Sequence, residues 1–250
     1  MVPKPIQKNT ALKHEGNSID TVLEWLRTNA TRETRDGMAR FGIPSTKAFG
    51  VSVGALRAYA KKLGRDHALA GALWKSGWYE ARMLAAFVDD PEQVTPQQME
   101  RWAGDFDSWA ICDTVCFALF DRTPHAWEKV HAWASARPEF KRRAAFALLW
   151  ALRVHDKRAP EQRFLECLPL IEMGALDERD YVKKGVDMAL RAIGKRSNPT
   201  ARKAVLELAT RMSTSTESAR AWIGRSTLRE LAKISARGGQ RGKASGKRRT

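Results

Sequence analysis

Trp109 and Asp113 stand four residues apart in the run Asp105-Phe106-Asp107-Ser108-Trp109-Ala110-Ile111-Cys112-Asp113-Thr114-Val115-Cys116-Phe117-Ala118-Leu119-Phe120. That spacing puts an indole and a carboxylate on one helix face, roughly one turn apart. Asp107 or Ser108 can cap the helix, because a short side-chain oxygen satisfies free first-turn N–H groups. Past the cap, Asp113 is the only ionisable carboxylate in an otherwise apolar stretch. Burying a charge without a partner is costly, so Asp113 is expected to line a cleft or to meet a cation. Both chemistries stand at this point: a carboxylate at work in a cleft, or an Asp–Arg pair that holds two helices together.

Two groups of cations point the same way. Lys141-Arg142-Arg143 and Lys183-Lys184 are expected in the first turns of two later helices, where the helix dipole disfavours positive charge by up to about 1 kcal/mol each. Free N–H groups with Lys or Arg beside them make a phosphate cradle. Two cradles on neighbouring repeats could follow a nucleic-acid backbone. The plainer account is that these long side chains extend to water.

The chain of 250 residues carries a net charge of +16. Six basic residues and no acidic one lie between Arg237 and Thr250, and setting them aside leaves +10 on the remainder. A basic body of this kind meets nucleic acid most naturally. No apolar run is long enough for a transmembrane helix, and the start, Met1-Val2-Pro3-Lys4-Pro5, lacks the apolar core of a signal peptide. A cytoplasmic protein is therefore expected, with no membrane partner. Cys112, Cys116 and Cys167 are expected as buried thiols rather than zinc ligands. Neither a phosphate-binding glycine loop nor paired histidine ligands are found, so no cofactor and no metal are expected.

These residues need helices to hold them. No segment alternates with a period of two, whereas apolar stripes at helical spacing recur throughout. Pro, Gly and Asp separate the helices into pairs, and Thr95-Pro96 and Thr123-Pro124 each read as a helix start. Residues 36–50, with Gly37, Gly42, Pro44 and Gly50, read as a loop or turn. Polar marks near Arg82, Asp113, Arg143, Lys184 and Arg220 recur at about the length of a two-helix solenoid unit. The expectation is an all-α chain: a flexible segment 1–17, a helical-repeat domain 18–235 and a disordered basic tail 236–250. Stacked pairs build a curved wall whose concave face, here basic, would serve as the binding surface. A compact bundle is the alternative.

Several ordered pieces also resemble the DNA alkylation repair family, the HEAT-like-repeat DNA glycosylases of the AlkD type. The pieces are Gly50-Val51-Ser52-Val53-Gly54-Ala55-Leu56-Arg57, Glu80-Ala81-Arg82-Met83-Leu84-Ala85, Asp107-Ser108-Trp109 through Asp113, Arg142-Arg143-Ala144, and Val182-Lys183-Lys184-Gly185 running to Leu190-Arg191 and Asn198-Pro199. The resemblance spans roughly Ser18 to Leu231. It implies an α-solenoid of HEAT-like repeats that hydrolyses the N-glycosidic bond of positively charged alkylated purines, such as N3-methyladenine and N7-methylguanine, without a base-flipping pocket. In that role Asp113 would stabilise the oxocarbenium-like sugar and position a water. Trp109 would press on the sugar–phosphate, and Arg143, or Arg142 beside it, would clamp a phosphate. Lys141, Lys183, Lys184 and Arg191 complete the expected DNA contacts. The partner implied is double-stranded DNA, alkylated or distorted, near the nucleoid, and a monomer is expected.

One position departs from the family pattern. Where a second cleft tryptophan belongs, ahead of Leu190-Arg191, the chain has Met188 with Asp187 beside it. Met offers no quadrupole face, and Asp187 repels phosphate. A repeat protein that binds damaged, branched or bent DNA without excising bases is therefore the alternative, and a protein-interaction or RNA-associated scaffold is a third.

Overall fold

The structure is a computed structural model that describes residues 18–195 and 198–246, with side chains described through residue 234. The expected flexible segment 1–17, the side chains of the expected tail, and residues 247–250 lie outside the described residues. No strand occurs among the described residues. The helices are α1 (Ile19–Thr28), α2 (Arg32–Gly37), α3 (Val53–Leu63), α4 (His67–Lys75), α5 (Tyr79–Val88), α6 (Pro96–Gly104), α7 (Trp109–Ala118), α8 (Ala126–Trp133), α9 (Glu139–His155), α10 (Glu161–Leu165), α11 (Leu168–Gly174), α12 (Asp180–Lys195), α13 (Pro199–Ser213) and α14 (Ser218–Gly246).

Side-chain caps explain half of the starts. Ser18, Ser52, Asp66, Thr95 and Asn198 each accept an N–H bond three residues on, opening α1, α3, α4, α6 and α13. This satisfies one of the orphan donors of a first turn. Pro96 and Pro199 occupy first-turn positions where the missing N–H costs nothing. Thr123-Pro124 behaves differently. The Thr123 hydroxyl donates to the Phe120 carbonyl at 2.8 Å, closing a 3-10 turn over Phe120–Arg122. The helix waits until Ala126. Part of the expected 36–50 loop is likewise helical: a 3-10 turn, Met38–Phe41, ends at Gly42 with φ 65°.

The chain divides into two compact units, Met1–Gln93 and Val94–Thr250. In the first, α5 packs on α3 and α4, and α1 packs on α4 and α5. The buried Glu80 carboxylate of α5 accepts N–H bonds from Phe49, Gly50 and Val51 at 2.9, 2.7 and 3.2 Å, fixing the loop that enters α3. Gly50 is required there: its φ is +89°, and a Cβ would fall 2.1 Å from the Thr31 carbonyl oxygen.

In the second unit α7 packs on α9, α9 on α12, and α12 on α14, so these four helices form one continuous row. Helix α8 backs α9, and α13 backs α12 and α14. Trp133, Phe120, Phe146 and Leu148 fill the space between layers with under 2 % exposure. Gly185 lets α12 approach α9, since a Cβ there would lie 3.3 Å from Arg143 Cγ. Helix α14 is capped from a distance: Glu178, just before α12, accepts from the Ser218 hydroxyl at 2.7 Å and the Ala219 N–H at 3.0 Å.

Candidate functional site

Helix α7 opens on Ser108, whose buried hydroxyl accepts the Ile111 N–H at 3.4 Å. Trp109 is the first helical residue and is half-buried. Asp113 follows one turn later on the same face. Its carboxylate meets a cation from α9. Arg143 Nε donates to Oδ1 at 2.8 Å and Nη2 to Oδ2 at 2.6 Å, a two-pronged pair. Arg143 Nη1 donates to the Tyr181 carbonyl at 2.7 Å, carrying the connection to α12.

The Arg143 side chain is 3 % exposed, whereas Asp113 keeps 16 %. Burial pushes the Asp113 carboxyl above its ordinary value, and the bonds and charge of Arg143 oppose that rise. The cysteines line the same α9-facing side of α7, and Cys112 bonds Asp113. The Cys112 and Cys116 thiols face the Phe140 and Ala144 carbonyls of α9 at 3.5 and 3.7 Å. All three cysteines are free and buried.

The Asp–Arg pair is thus present, yet it leaves the carboxylate chemically usable. Each carboxylate oxygen has two lone pairs; Arg143 takes one on each, and Cys112 also bonds the carboxylate. The remaining pairs belong to a rigidly oriented, partly exposed group. Arg143 itself is buried with its bonds directed inward. In this geometry it orients Asp113 rather than reaching out to solvent.

The other expected contact residues are placed as follows. Lys141 Nζ lies 2.6 Å from Glu100 of α6. Arg142 donates to the Ala134 carbonyl at 3.0 Å and to Asp177 at 2.9 Å. Lys183 pairs with Asp180 at 2.7 Å. Arg191 pairs with Asp187 at 3.0 Å and with Glu230 at 3.3 Å. Lys184 is exposed, makes no ion pair among the described residues, and sits 6.0 Å from the Tyr181 ring centroid. Met188 is half-buried on α12, one turn beyond Lys184.

The two cation groups do not stand at bare helix ends. Glu139 and Asp180 occupy the first turns of α9 and α12 and supply the negative charge those ends favour. Most of the cations are directed at carboxylates of neighbouring turns and helices. These side chains alone therefore do not make up a basic concave face. The expectation overlooked the acids because Asp177 and Glu100 are distant in sequence from the cations they bind.

Glu100 is the clearest of these hubs. It receives Lys141, Lys129 at 3.0 Å and the Trp133 indole N–H at 2.9 Å. Burial alone would raise its carboxyl, but these hydrogen bonds and the Lys141 charge bring it down to about 2. Among the described residues no group of His, Cys, Asp or Glu side chains is arranged to hold a metal ion. No described helix is long and apolar enough to cross a membrane.

No curated protein matches the sequence. One solved structure similar to this chain is described as a new family of proteins related to the HEAT-like repeat DNA glycosylases with affinity for branched DNA structures. It superposes with a TM-score of 0.69 at 22% identity, over 77% of this chain and 82% of that one. That likeness establishes the fold as the helical-repeat type. A family model described as DNA alkylation repair enzyme matches residues 22–223, a span that includes α7, α9 and α12. The chain therefore belongs to the DNA alkylation repair enzyme family.

Proposed function

We propose that the protein binds duplex DNA and hydrolyses the N-glycosidic bond of cationic alkylated purines, with Asp113 as the catalytic residue. The observation that carries this is the Asp113 carboxylate itself. It is held in one orientation by Arg143 at 2.8 and 2.6 Å, is partly exposed, and lies one turn from Trp109. An N3- or N7-alkylated purine is already a good leaving group. When the C1′–N9 bond breaks, the electron pair goes to the base, which departs neutral, and the sugar becomes an oxocarbenium ion. A fixed carboxylate stabilises that charge without reorganising. It can then accept the proton of the water that adds to C1′. Trp109 supplies a ring face for the cationic lesion or its sugar. Arg143 acts as a positioning residue, because a carboxylate without it would be free to rotate.

Asp113→Asn should abolish release of 7-methylguanine from methylated duplex DNA while keeping most of the DNA affinity. Equal release by wild type and variant would remove Asp113 from the mechanism.

A second reading is favoured by Met188. With no ring at that position, the lesion is held from the Trp109 side alone. The protein would then bind branched or bent DNA without excision. No base release by wild type, with tight junction binding, would select this second reading.

A further inference from the structure

Three rings lie on successive members of the row α9, α12 and α14: Phe140, Tyr181 and Trp222. Each is half-buried, so each keeps part of its surface in solvent. Phe140 and Tyr181 have centroids 5.1 Å apart, inclined at 40°. Two ammonium groups stand among them. Lys183 Nζ lies 5.5 Å from the Trp222 centroid and Lys184 Nζ 6.0 Å from the Tyr181 centroid.

The backbone beneath is braced. Arg143 bonds the Tyr181 carbonyl, and Glu178 bonds the first turn of α14. The rings are therefore presented by fixed elements. Among the described residues Lys183 pairs with the exposed Asp180, and Lys184 makes no ion pair.

We propose that Phe140, Tyr181 and Trp222, with Lys183 and Lys184, form a stacking surface for an unpaired DNA strand, such as the single-stranded arm of a forked or branched molecule. Part-exposed rings, two of them with an ammonium group 5.5 and 6.0 Å from the ring centre, suit a chain that carries both bases and phosphates. Every base has a π-face, so such a surface tolerates any sequence. A paired base keeps its faces inside the duplex stack and cannot use these rings. This separates the surface from duplex binding at Asp113. When a base covers a ring, the ammonium beside it turns to the adjacent phosphate. The inference rests on the reading of this chain as DNA-binding and is independent of excision.

The test compares labelled oligothymidylate, a fully paired duplex, and a forked duplex with one unpaired arm, using fluorescence anisotropy with the full chain. Tyr181→Leu and Trp222→Leu are each expected to weaken the single strand and the fork about ten-fold or more, with duplex affinity changed less than two-fold. Lys184→Gln, at an exposed position where folding is not at stake, should reduce the salt slope on the single strand by about 0.7. Equal losses on duplex and fork, or no loss on either with an unchanged Lys184→Gln slope, would overturn the stacking surface. Wild type failing to bind any of the three DNAs would overturn the DNA-binding reading itself.

Discussion

Asp113 and Arg143 form a structural ion pair, and the proposed function asks the same carboxylate to react as well. Removing the guanidinium leaves a carboxylate in a mostly dry site with no counter-charge. Arg143→Ala should therefore cost about 3–5 kcal/mol of stability, read from denaturant midpoints. Arg143→Lys restores charge but not the two-pronged geometry and should recover only part of that loss. Glu100 gives a pH signature. Its carboxyl is held at about 2, below the ordinary value of 4.5. A depressed folded-state value means the contribution is fully present above about 4.5 and is lost as pH falls through about 2. Unfolding midpoints measured across that window should fall less steeply in Glu100→Gln than in wild type. At this scale the sequence disclosed Asp113 well, because a single acid in an apolar helix demands a partner. It did not disclose which cation would answer, since Arg142 and Arg143 differ by one register step. The structure sends Arg142 to Asp177 and Arg143 to Asp113.

Helix starts were legible at Thr95 and Ser108, where a short polar side chain caps the first turn, but not at Thr31, which caps the short α2. They were less legible where tertiary contacts do the capping. Glu178 closes the first turn of α14 from a segment some forty residues upstream, and no local pattern announces such a pairing. The cation clusters depart from the expected first-turn placement for a local reason. Glu139 and Asp180 set the ends of α9 and α12, and the lysines and arginines come after them. Close helix approach was also hidden, because a glycine inside a helix reads locally as a weakness. At Gly224 a Cβ would fall 2.4 Å from the Ser213 backbone nitrogen and 2.6 Å from the Ala209 carbonyl oxygen. Backbone cannot step aside as a side chain can, so Gly224→Ala should lower stability by about 1–3 kcal/mol and shift the thermal midpoint down. A midpoint equal to wild type would mean α13 and α14 pack less tightly than this.

For the whole molecule the charge of +16 is what remains after every acid is counted against a base, so the excess lies on cations other than Lys141, Arg142, Arg143, Lys183 and Arg191, which are engaged with carboxylates. Each released phosphate contact contributes about 0.9 to the salt slope on duplex. Deletion of residues 237–250, which carry six basic residues, should flatten that slope. A slope unchanged by that deletion would place the contacts wholly on the helical body. Composition gave the expectation of a polyanionic partner, and periodicity that of helical repeats, which the fold bears out. Neither could show where the net charge resides, since ion pairing across helices is settled only in three dimensions.

The Glu178 clasp on Ser218 and Ala219 ties the fate of the final helix to a segment laid down much earlier in synthesis. A nascent chain released from the ribosome short of residue 218 would expose an acidic hook with nothing to catch. Its last repeats would fray together rather than one by one. In deuterium labelling, the Ala219 amide should open in concert with the start of α12, although the two are far apart along the chain.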